Sequence, residues 1–361
     1  MYPRFRLTQW RRQKDDCGEV VPMRNMQLTF GTGCAINRDM FYLSGTLDEL
    51  ESTEGNRVSR MVLYQGQTAE KWFYHDLPAW RVVSACYPEP EPEPEPEPDS
   101  VRKIYALSEQ GDVDCYSREG SVIEKISDAG LGATLANYGY VTRIREIGSH
   151  LYVCGYGGQV YKRDTAGWIH VDAQLLQKKA GIGSIEDPNE LLAALIQSTD
   201  ETIGLVDING LDEKSIYVVG NDGYIAFFDG ASWIKLPKPT AAHLNCVLPV
   251  SADSVWVAGS KGTLLKGNFQ AGFSAVARES LSTDFYSMAL FNDRLFIGAG
   301  DGIYELDENG PQRLMVSDKF SLDSVATVDA KDGVLWVLAS RRLARYDGTQ
   351  WEVFENPHNL P

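Results

Sequence analysis

The sequence predicts an all-β fold, a β-propeller of seven blades with four antiparallel strands in each blade. Three observations predict it: a repeated order of strands and turns, a spacing of about 40 residues between copies, and a turn-rich, aromatic composition. The 361 residues include 33 glycines, and 11% are aromatic. Glycine permits tight turns, and aromatic residues favour strands.

The repeating unit is clearest at residues 216–237, IYVVGNDGYIAFFDGASWIKLP. Residues 216–219 are β-branched and aromatic, which is typical of a buried strand. Asn221, Asp222 and Gly223 suit a tight hairpin turn, and 224–228 form a second strand. A second turn and a third strand follow, and the third strand ends before Pro237 because proline cannot donate to a sheet. Such a three-stranded meander cannot bury its faces alone.

The same unit recurs along the chain, and an apolar run before each clear copy supplies a fourth strand. From residue 216 to 255 is 39 residues, and 255 to 295 and 295 to 335 are 40 each. Four strands in each period of this length are typical of a propeller blade. The other copies begin at Leu151, Val255, Leu295 and Leu335, with a looser one at Ile104 and the loosest at Phe41.

Two intervals between copies, 41–104 and 151–216, are too long for one blade. Neither excess contains another copy, so both are interpreted as insertions in loops between repeats. Seven copies then predict seven blades, with six or eight as the alternatives. The predicted organisation is a basic N-terminal arm or extra strand at 1–25, and one propeller domain at 26–361 with insertions at 46–56, 87–100 and 173–200.

The insertions are predicted to differ in structure. Residues 87–100, YPEPEPEPEPEPDS, alternate proline with glutamate and predict an extended polyproline II rod that is either a solvated spacer or an acidic probe. In SIEDPNELLAALIQS, Asp187 is a good N-cap and Pro188 suits the first helical position. A small helix is therefore expected, with its apolar stripe packed on the propeller or offered to a partner.

The formal net charge of −16 argues against unaided nucleic-acid binding and favours either solubility or a basic protein partner. There is no apolar run of 18 residues and no apolar secretory signal, so we expect a cytoplasmic protein without membrane contact, monomeric by itself. The cysteines are scattered and are expected to be free thiols. They are Cys17, Cys34, Cys86, Cys115, Cys154 and Cys246.

Motifs for metal, phosphate or nucleophilic chemistry are missing from the sequence. The five histidines show no zinc spacing, and neither a phosphate-binding loop nor a GxSxG elbow occurs. No catalytic residue, metal or cofactor is predicted. Charged residues near the innermost strands could line the central channel, where propeller enzymes usually work. They are Arg143, Arg145, Glu146 and Asp207.

The repeats resemble those of known bacterial propellers. The pattern of an apolar-aromatic run, V-x-G-x-x-G, DG and Trp resembles photosystem-assembly-factor and BNR-like repeats. LFIGAGDGIYELDENG and LWVLASRRLARYDG resemble the sensor propellers of two-component regulators. The resemblance covers about residues 100–361 and implies a propeller fold, not a function. The Trp-Asp endings of WD40 repeats and the Asp box of sialidases are missing.

The sequence therefore favours a non-catalytic, acidic protein-binding propeller, such as an inhibitor or immunity protein that neutralises a basic toxin or effector. The alternatives are a hydrolase or lyase acting on a sugar or small ester in the channel, and an assembly factor for a larger complex. Acidic residues of the insertions are the candidate partner-binding residues. They are Asp48, Glu49, Glu51, Glu54, Glu89, Glu91, Glu93, Glu95, Glu97, Glu186, Asp187 and Glu190.

Overall fold

The computed structural model describes residues 26–51, 57–89, 102–131, 138–177, 187, 202–276, 281–317 and 321–359. Within these residues the chain forms seven four-stranded antiparallel sheets, which confirms the predicted seven-bladed β-propeller. The described helical elements are one short helix, α1 (Asp48–Glu51), and two 3-10 turns at Asn221–Gly223 and Pro357–Asn359.

Each blade uses four consecutive strands, which we name A to D from the central axis outwards. Blade 1 contains β1 (Leu28–Asn37), β2 (Met40–Leu47), β3 (Val58–Gln65) and β4 (Trp72–Pro78). Blade 2 contains β5 (Val82–Cys86), β6 (Ile104–Ser108), β7 (Asp112–Ser117) and β8 (Gly120–Lys125). Blade 3 contains β9 (Val141–Ile147), β10 (His150–Gly155), β11 (Val160–Asp164) and β12 (Gly167–His170).

The last four blades follow the same plan with shorter loops. Blade 4 contains β13 (Leu205–Asp212), β14 (Ser215–Gly220), β15 (Ile225–Phe228) and β16 (Trp233–Lys235). Blade 5 contains β17 (Leu244–Ser251), β18 (Ser254–Gly259), β19 (Leu264–Asn268) and β20 (Gly272–Ala275). Blade 6 contains β21 (Phe285–Phe291), β22 (Arg294–Ala299), β23 (Gly302–Asp307) and β24 (Gly310–Arg313). Blade 7 contains β25 (Thr327–Lys331), β26 (Val334–Leu338), β27 (Arg342–Tyr346) and β28 (Trp351–Glu355).

The A strands form the wall of the central channel, because the A strands of neighbouring blades lie side by side around the whole ring. In six blades the A strand carries a β-bulge near its start, which turns the next side chains relative to the sheet. The register shifts fall at Phe30/Thr32, Val82/Ser84, Val141/Arg143, Leu205/Asp207, Leu244/Cys246 and Phe285/Ser287.

The strand order gives the propeller two faces. Because neighbouring strands are antiparallel, the A–B and C–D turns lie on one face, the AB face, and the B–C and D–A connections lie on the other, the DA face. In six blades the A–B turn has two residues, whereas blade 2 uses residues 87–103. The D–A connections are longer and reach 171–204 between blades 3 and 4. The longer connections between strands are therefore mostly on the DA face.

The core is divided into seven apolar clusters, one between each pair of neighbouring blades. Five tryptophans that recur in the repeats lie in or against these clusters, as their periodicity predicts. Trp336 is fully buried between blades 7 and 1, where its indole N–H donates to the Asn37 carbonyl at 3.0 Å. The others are Trp168, Trp233, Trp256 and Trp351.

The ring closes between blades 7 and 1 without exchange of a strand among the described residues, because each blade takes all four strands from one continuous segment. The seam is held by hydrogen bonds and by a shared core cluster. The Leu28 N–H donates to Asn359 Oδ1 at 2.8 Å, and the Phe30 N–H donates to the Ser340 carbonyl at 2.8 Å.

The sequence predicted that the insertion at 87–100 lies between two repeats, and this prediction was wrong. The insertion joins β5 to β6 inside blade 2 and therefore leaves the AB face, whereas 46–56 and 173–200 belong to the DA face. The repeat pattern missed this because β5 is short and was not recognised as the first strand of its blade. The N-terminal arm, most of the proline–glutamate segment and the predicted helix after Asp187 lie outside the described residues.

Candidate functional site

The central channel holds a cavity of about 380 Å³ toward the AB face, lined by A-strand residues and by residues that follow β5. Two of the lining residues, Arg143 and Arg145, pair with Asp207, which is fully buried. The Arg145 guanidinium donates to both Asp207 oxygens at 3.0 and 3.1 Å, and Arg143 Nε lies 3.1 Å from Oδ1. Asp207 Oδ2 also accepts the Val247 N–H at 3.0 Å. One carboxylate thus joins blades 3, 4 and 5.

Polar side chains at the same A-strand position repeat this role around the channel. In three blades a side-chain oxygen accepts a backbone N–H from the A strand of the next blade. The A strand has an unpaired edge at the channel, so these bonds satisfy donors that would otherwise lack a protein partner. The pairs are Ser84 with Ile144, Asp207 with Val247, and Ser287 with Val328.

Asp329 closes the ring in the same way, since its Oδ2 accepts the Ala35 N–H across the seam at 2.8 Å. Burial raises the pKa of Asp329 above its usual range, while the Ala35 hydrogen bond and the Lys331 charge act in the opposite direction. Cys34 and Cys86 line the same cavity as free thiols, and burial raises the pKa of Cys86 to about 12. Thiols of such high pKa are poor nucleophiles.

One side of the AB mouth of the channel, which we call the charged side, consists of Tyr87, Glu89, Glu146 and Lys331. Lys331 Nζ lies 2.6 Å from Glu89 Oε1 and 5.1 Å from the centre of the Tyr87 ring. The Glu89 N–H donates to Glu146 Oε2 at 2.7 Å. The start of the blade 2 insertion is therefore tied to blades 7 and 3. These contacts hold residues 87–89 against the AB mouth, and we call this fixed start of the insertion the strap.

The opposite side of the AB mouth, the apolar side, consists of Leu211, Val250 and Leu290 on blades 4, 5 and 6. Their side chains are 40%, 38% and 39% exposed. Sequence reasoning missed all three because it searched for charge. The available signal was length: β13 and β17 extend beyond the other late A strands, and each carries an apolar residue one position before its polar end, at DINGLD and CVLPVS.

A histidine cluster lies on the DA face between blades 2 and 3. His170 Nδ1 lies 2.9 Å from Asp172 Oδ2, and Nε2 lies 2.6 Å from Asp128 Oδ2. The Tyr161 hydroxyl donates to Asp128 Oδ1 at 2.9 Å. The bond to Asp172 and the neighbouring Asp128 outweigh burial and raise the pKa of His170 to about 9. The imidazolium is therefore an internal counter-ion for two carboxylates at neutral pH.

The predicted partner-binding residues are divided between the two faces. On the DA face, Asp48 Oδ1 accepts the Thr29 hydroxyl at 2.7 Å and Oδ2 lies 2.6 Å from Arg341, whereas Glu49 is exposed. Asp187, which is also exposed, belongs to a D–A connection, whereas Glu89 lies on the AB face. Glu51 lies in α1. The remaining predicted residues, Glu54, Glu91, Glu93, Glu95, Glu97, Glu186 and Glu190, lie outside the described residues.

In the part of the chain that the structure describes, no group of three or more histidine, cysteine or acidic side chains is arranged to hold a metal ion. No helix among the same residues is long and apolar enough to cross a membrane. The five described cysteines are free, as expected from their spacing.

No protein-family model matches the sequence. The chain is similar to the immune protein Tsi7 of Pseudomonas aeruginosa, with 26% identity over 323 residues, which cover 89% of this chain and 95% of the relative. This similarity extends across nearly the whole propeller rather than a few blades.

Solved structures with the same fold include the WD40 propeller domain of Doa1, with a TM-score of 0.60 and 10% identity over 94% of this chain and 97% of that one. An extracellular domain of the hybrid two component system BT4673 from B. thetaiotaomicron has a TM-score of 0.57 and 14% identity, over 88% of this chain and 38% of that one. YCF48 from Cyanidioschyzon merolae has a TM-score of 0.51 and 12% identity, over 94% and 98%. At such identity the likeness concerns the fold, and it confirms the resemblance to sensor and photosystem-assembly propellers at that level.

Proposed function

We propose that the chain is a cytoplasmic, non-catalytic immunity protein that binds a toxic protein and neutralises it. The observation that carries the proposal is the similarity to immune protein Tsi7 along 89% of the chain. A propeller suits this role because a rigid ring presents two broad faces without rearrangement. The chain acts alone, as a monomer, on one dedicated partner.

The channel chemistry supports binding rather than catalysis. Asp207 is neutralised by two arginines, and Glu89 is paired with Lys331. A catalytic acid or base needs a free proton site within reach of a substrate. These charges instead hold neighbouring blades together, and the alternative of a channel hydrolase would have to break those contacts.

The net charge of −16 supports a basic partner. Opposite net charges speed up association and favour the correct partner, and this contribution falls as salt screens it. We therefore expect the complex to form rapidly at low ionic strength and to associate more slowly at high ionic strength.

The test has two stages. The tagged chain is first used to capture proteins from its native cells at low and high salt, and stoichiometric proteins are identified by mass spectrometry. The captured protein is then expressed in a heterologous host with and without this chain. We expect growth arrest by the captured protein alone and restored growth when both are present.

A captured protein that is harmless, or a toxic one that this chain does not suppress, would contradict the immunity role. Capture of several subunits of one larger complex would favour the assembly-factor alternative. No stable capture, together with turnover of a sugar or ester by the purified chain that is lost in Arg145→Met, would favour the channel enzyme.

A further inference from the structure

Two of the three residues on the apolar side of the AB mouth, Leu211 and Val250, lie where the strand register is irregular. In blades 4 and 5 the A strand has a second irregularity near its end, between Gly210 and Asp212 and between Pro249 and Ser251. The residues skipped by the pairing are Leu211 and Val250, which are placed at equivalent positions of neighbouring blades. A bulge re-aims a side chain at a cost in regular pairing, so bulges often mark functional positions.

Blade 1 shows that a bulged apolar residue need not be exposed. The same irregularity occurs there between Ala35 and Asn37, and the skipped residue is Ile36. Ile36 is 3% exposed and packs in the cluster between blades 1 and 2. Leu211 and Val250 lack such cover, and Leu290 of blade 6 continues the exposed arc.

An acidic rim borders this arc. Asp212, Asp253 and Asp293 are exposed at the A–B ends of the same three blades. Phe269 marks the outer edge, where its ring stacks on Phe227 with centroids 4.2 Å apart and it remains 37% exposed. An apolar centre with a charged rim is the usual anatomy of a protein-binding patch.

We infer that the arc of Leu211, Val250 and Leu290 with its rim of Asp212, Asp253 and Asp293 is the docking site for a basic protein, which places apolar side chains at the channel mouth and basic side chains on the rim. The inference rests on the proposed function and adds to it the face and the residues that bind. It places the site on the AB face, although the long connections lie on the DA face.

A second copy of the chain is a poor occupant for this patch. In a two-fold dimer the same patch meets itself, so each aspartate rim would face another aspartate rim. The repulsion would add to that between two chains of charge −16. A basic partner instead neutralises the rim while it covers the leucines and the valine.

The first test measures the affinity of the protein captured above, purified, for single substitutions on each face. Leu211→Asp, Val250→Asp and Leu290→Asp are each expected to weaken binding by tenfold or more, because they place a buried charge at the contact. The matched control is Met315→Asp on the DA face, where the side chain is 81% exposed. It is expected to change affinity less than twofold.

The second test reverses three charges on one face at a time. D212K/D253K/D293K is expected to slow association by at least tenfold at low salt and to flatten its salt dependence. The control triple on the DA face, D222K/D323K/E355K, makes the same change in net charge and is expected to have a much smaller effect. Thermal unfolding of every variant shows whether the propeller is intact.

The outcomes separate the docking site from the function. Loss of binding in the DA-face variants with normal binding in the AB-face variants would overturn the docking site and leave the immunity role standing. If an AB-face variant unfolds, a photo-crosslinking residue at position 250 and another at 315 report the contacted face directly. Self-association of the chain that Val250→Asp abolishes would also overturn it, since a second copy would then be the occupant.

Discussion

The two sides of the AB mouth differ in what their side chains bind. On the charged side, Glu89, Lys331 and Glu146 contact one another, and deeper in the channel Asp207 holds two arginines. On the apolar side, Leu211, Val250 and Leu290 remain partly exposed.

The difference shows that the charged residues at a channel need not be the residues that bind a partner. A buried carboxylate must be paired to be tolerated, so a well-paired carboxylate is first a structural group. An apolar side chain held in water by a bulge has no such structural explanation. The comparison predicts that charge changes on the first side affect stability, and apolar changes on the second side affect binding.

The largest effect is expected for Asp207→Ala. This change leaves Arg143 and Arg145 without their counter-charge and removes the acceptor of the Val247 N–H. Loss of one partner of a buried ion pair costs about 3 to 5 kcal/mol, and the lower figure applies because both arginines are partly exposed. The measurement is the free energy of unfolding in urea.

Asp253→Ala is the control for this change, because Asp253 is an exposed carboxylate near the same face. Its effect is expected to stay within about 0.5 kcal/mol. Equal losses of unfolding free energy in the two variants would contradict the comparison, because the ion pairs of Asp207 would then stabilise the protein no more than an exposed carboxylate does.

A smaller, pH-dependent effect is expected from His170 on the DA face. Its pKa in the folded protein is about 9, above the 6.5 of a free histidine, so its contribution is complete below pH 6.5 and is lost as pH rises through about 9. His170→Gln should therefore lower the melting temperature at pH 6 and converge with the unchanged protein above pH 9.5. The contribution is on the order of 1 kcal/mol, because solvent screens a side chain of this exposure.

If the difference between the two proteins were the same at pH 6 and pH 10, the charge of His170 would not act through Asp128 and Asp172. Tyr138, whose ring lies edge-on to His170, would then be the contact to test, because loss of ring packing does not depend on pH.

Lys331→Met tests the strap across the channel mouth. The substitution keeps the apolar stem but removes the charge from Glu89 and from the Tyr87 ring. The expected loss is about 0.5 to 1 kcal/mol, since Glu89 is 70% exposed and the pair is screened on that side. Urea unfolding gives the value, and a loss as large as that of Asp207→Ala would mean that the strap is a major structural element.

The smallest effect on stability is expected from the proline–glutamate segment. Replacing Glu91, Glu93, Glu95 and Glu97 with glutamine removes four like charges and should leave the melting temperature unchanged within about 1 °C. If the segment helps to attract a basic partner, association at low salt slows while dissociation is unchanged. An unchanged association rate would assign the segment to the role of a spacer.

Much of the fold could be predicted from the sequence because each blade repeats the same local chemistry. The apolar strand, the glycine turn and the tryptophan recur with the period, and so the blade count and the packing of Trp336 followed from the pattern. The short β5 escaped it because five residues before a proline-rich segment carry too little periodicity.

The candidate site was less predictable, for physical reasons. Arg143, Arg145 and Asp207 were recognised as channel residues, but their mutual pairing depends on the register of different blades. Leu211 and Val250 are the residues skipped in the pairing of their strands, and a sequence pattern does not show which residue is skipped or whether a neighbouring blade covers it.

The seam between the first and last blades has a consequence for synthesis. Blade 7 and Asn359, whose side chain contacts Leu28 and Arg341, are synthesised after the other six blades. One flank of the first blade therefore stays uncovered until blade 7 has been synthesised. Its uncovered flank includes Phe41 and Tyr64, which later contact Trp336. A chain truncated before residue 327 would lack blade 7, and the apolar flanks of blades 1 and 6 would stay exposed, so the final 33 described residues close the ring and cover both flanks.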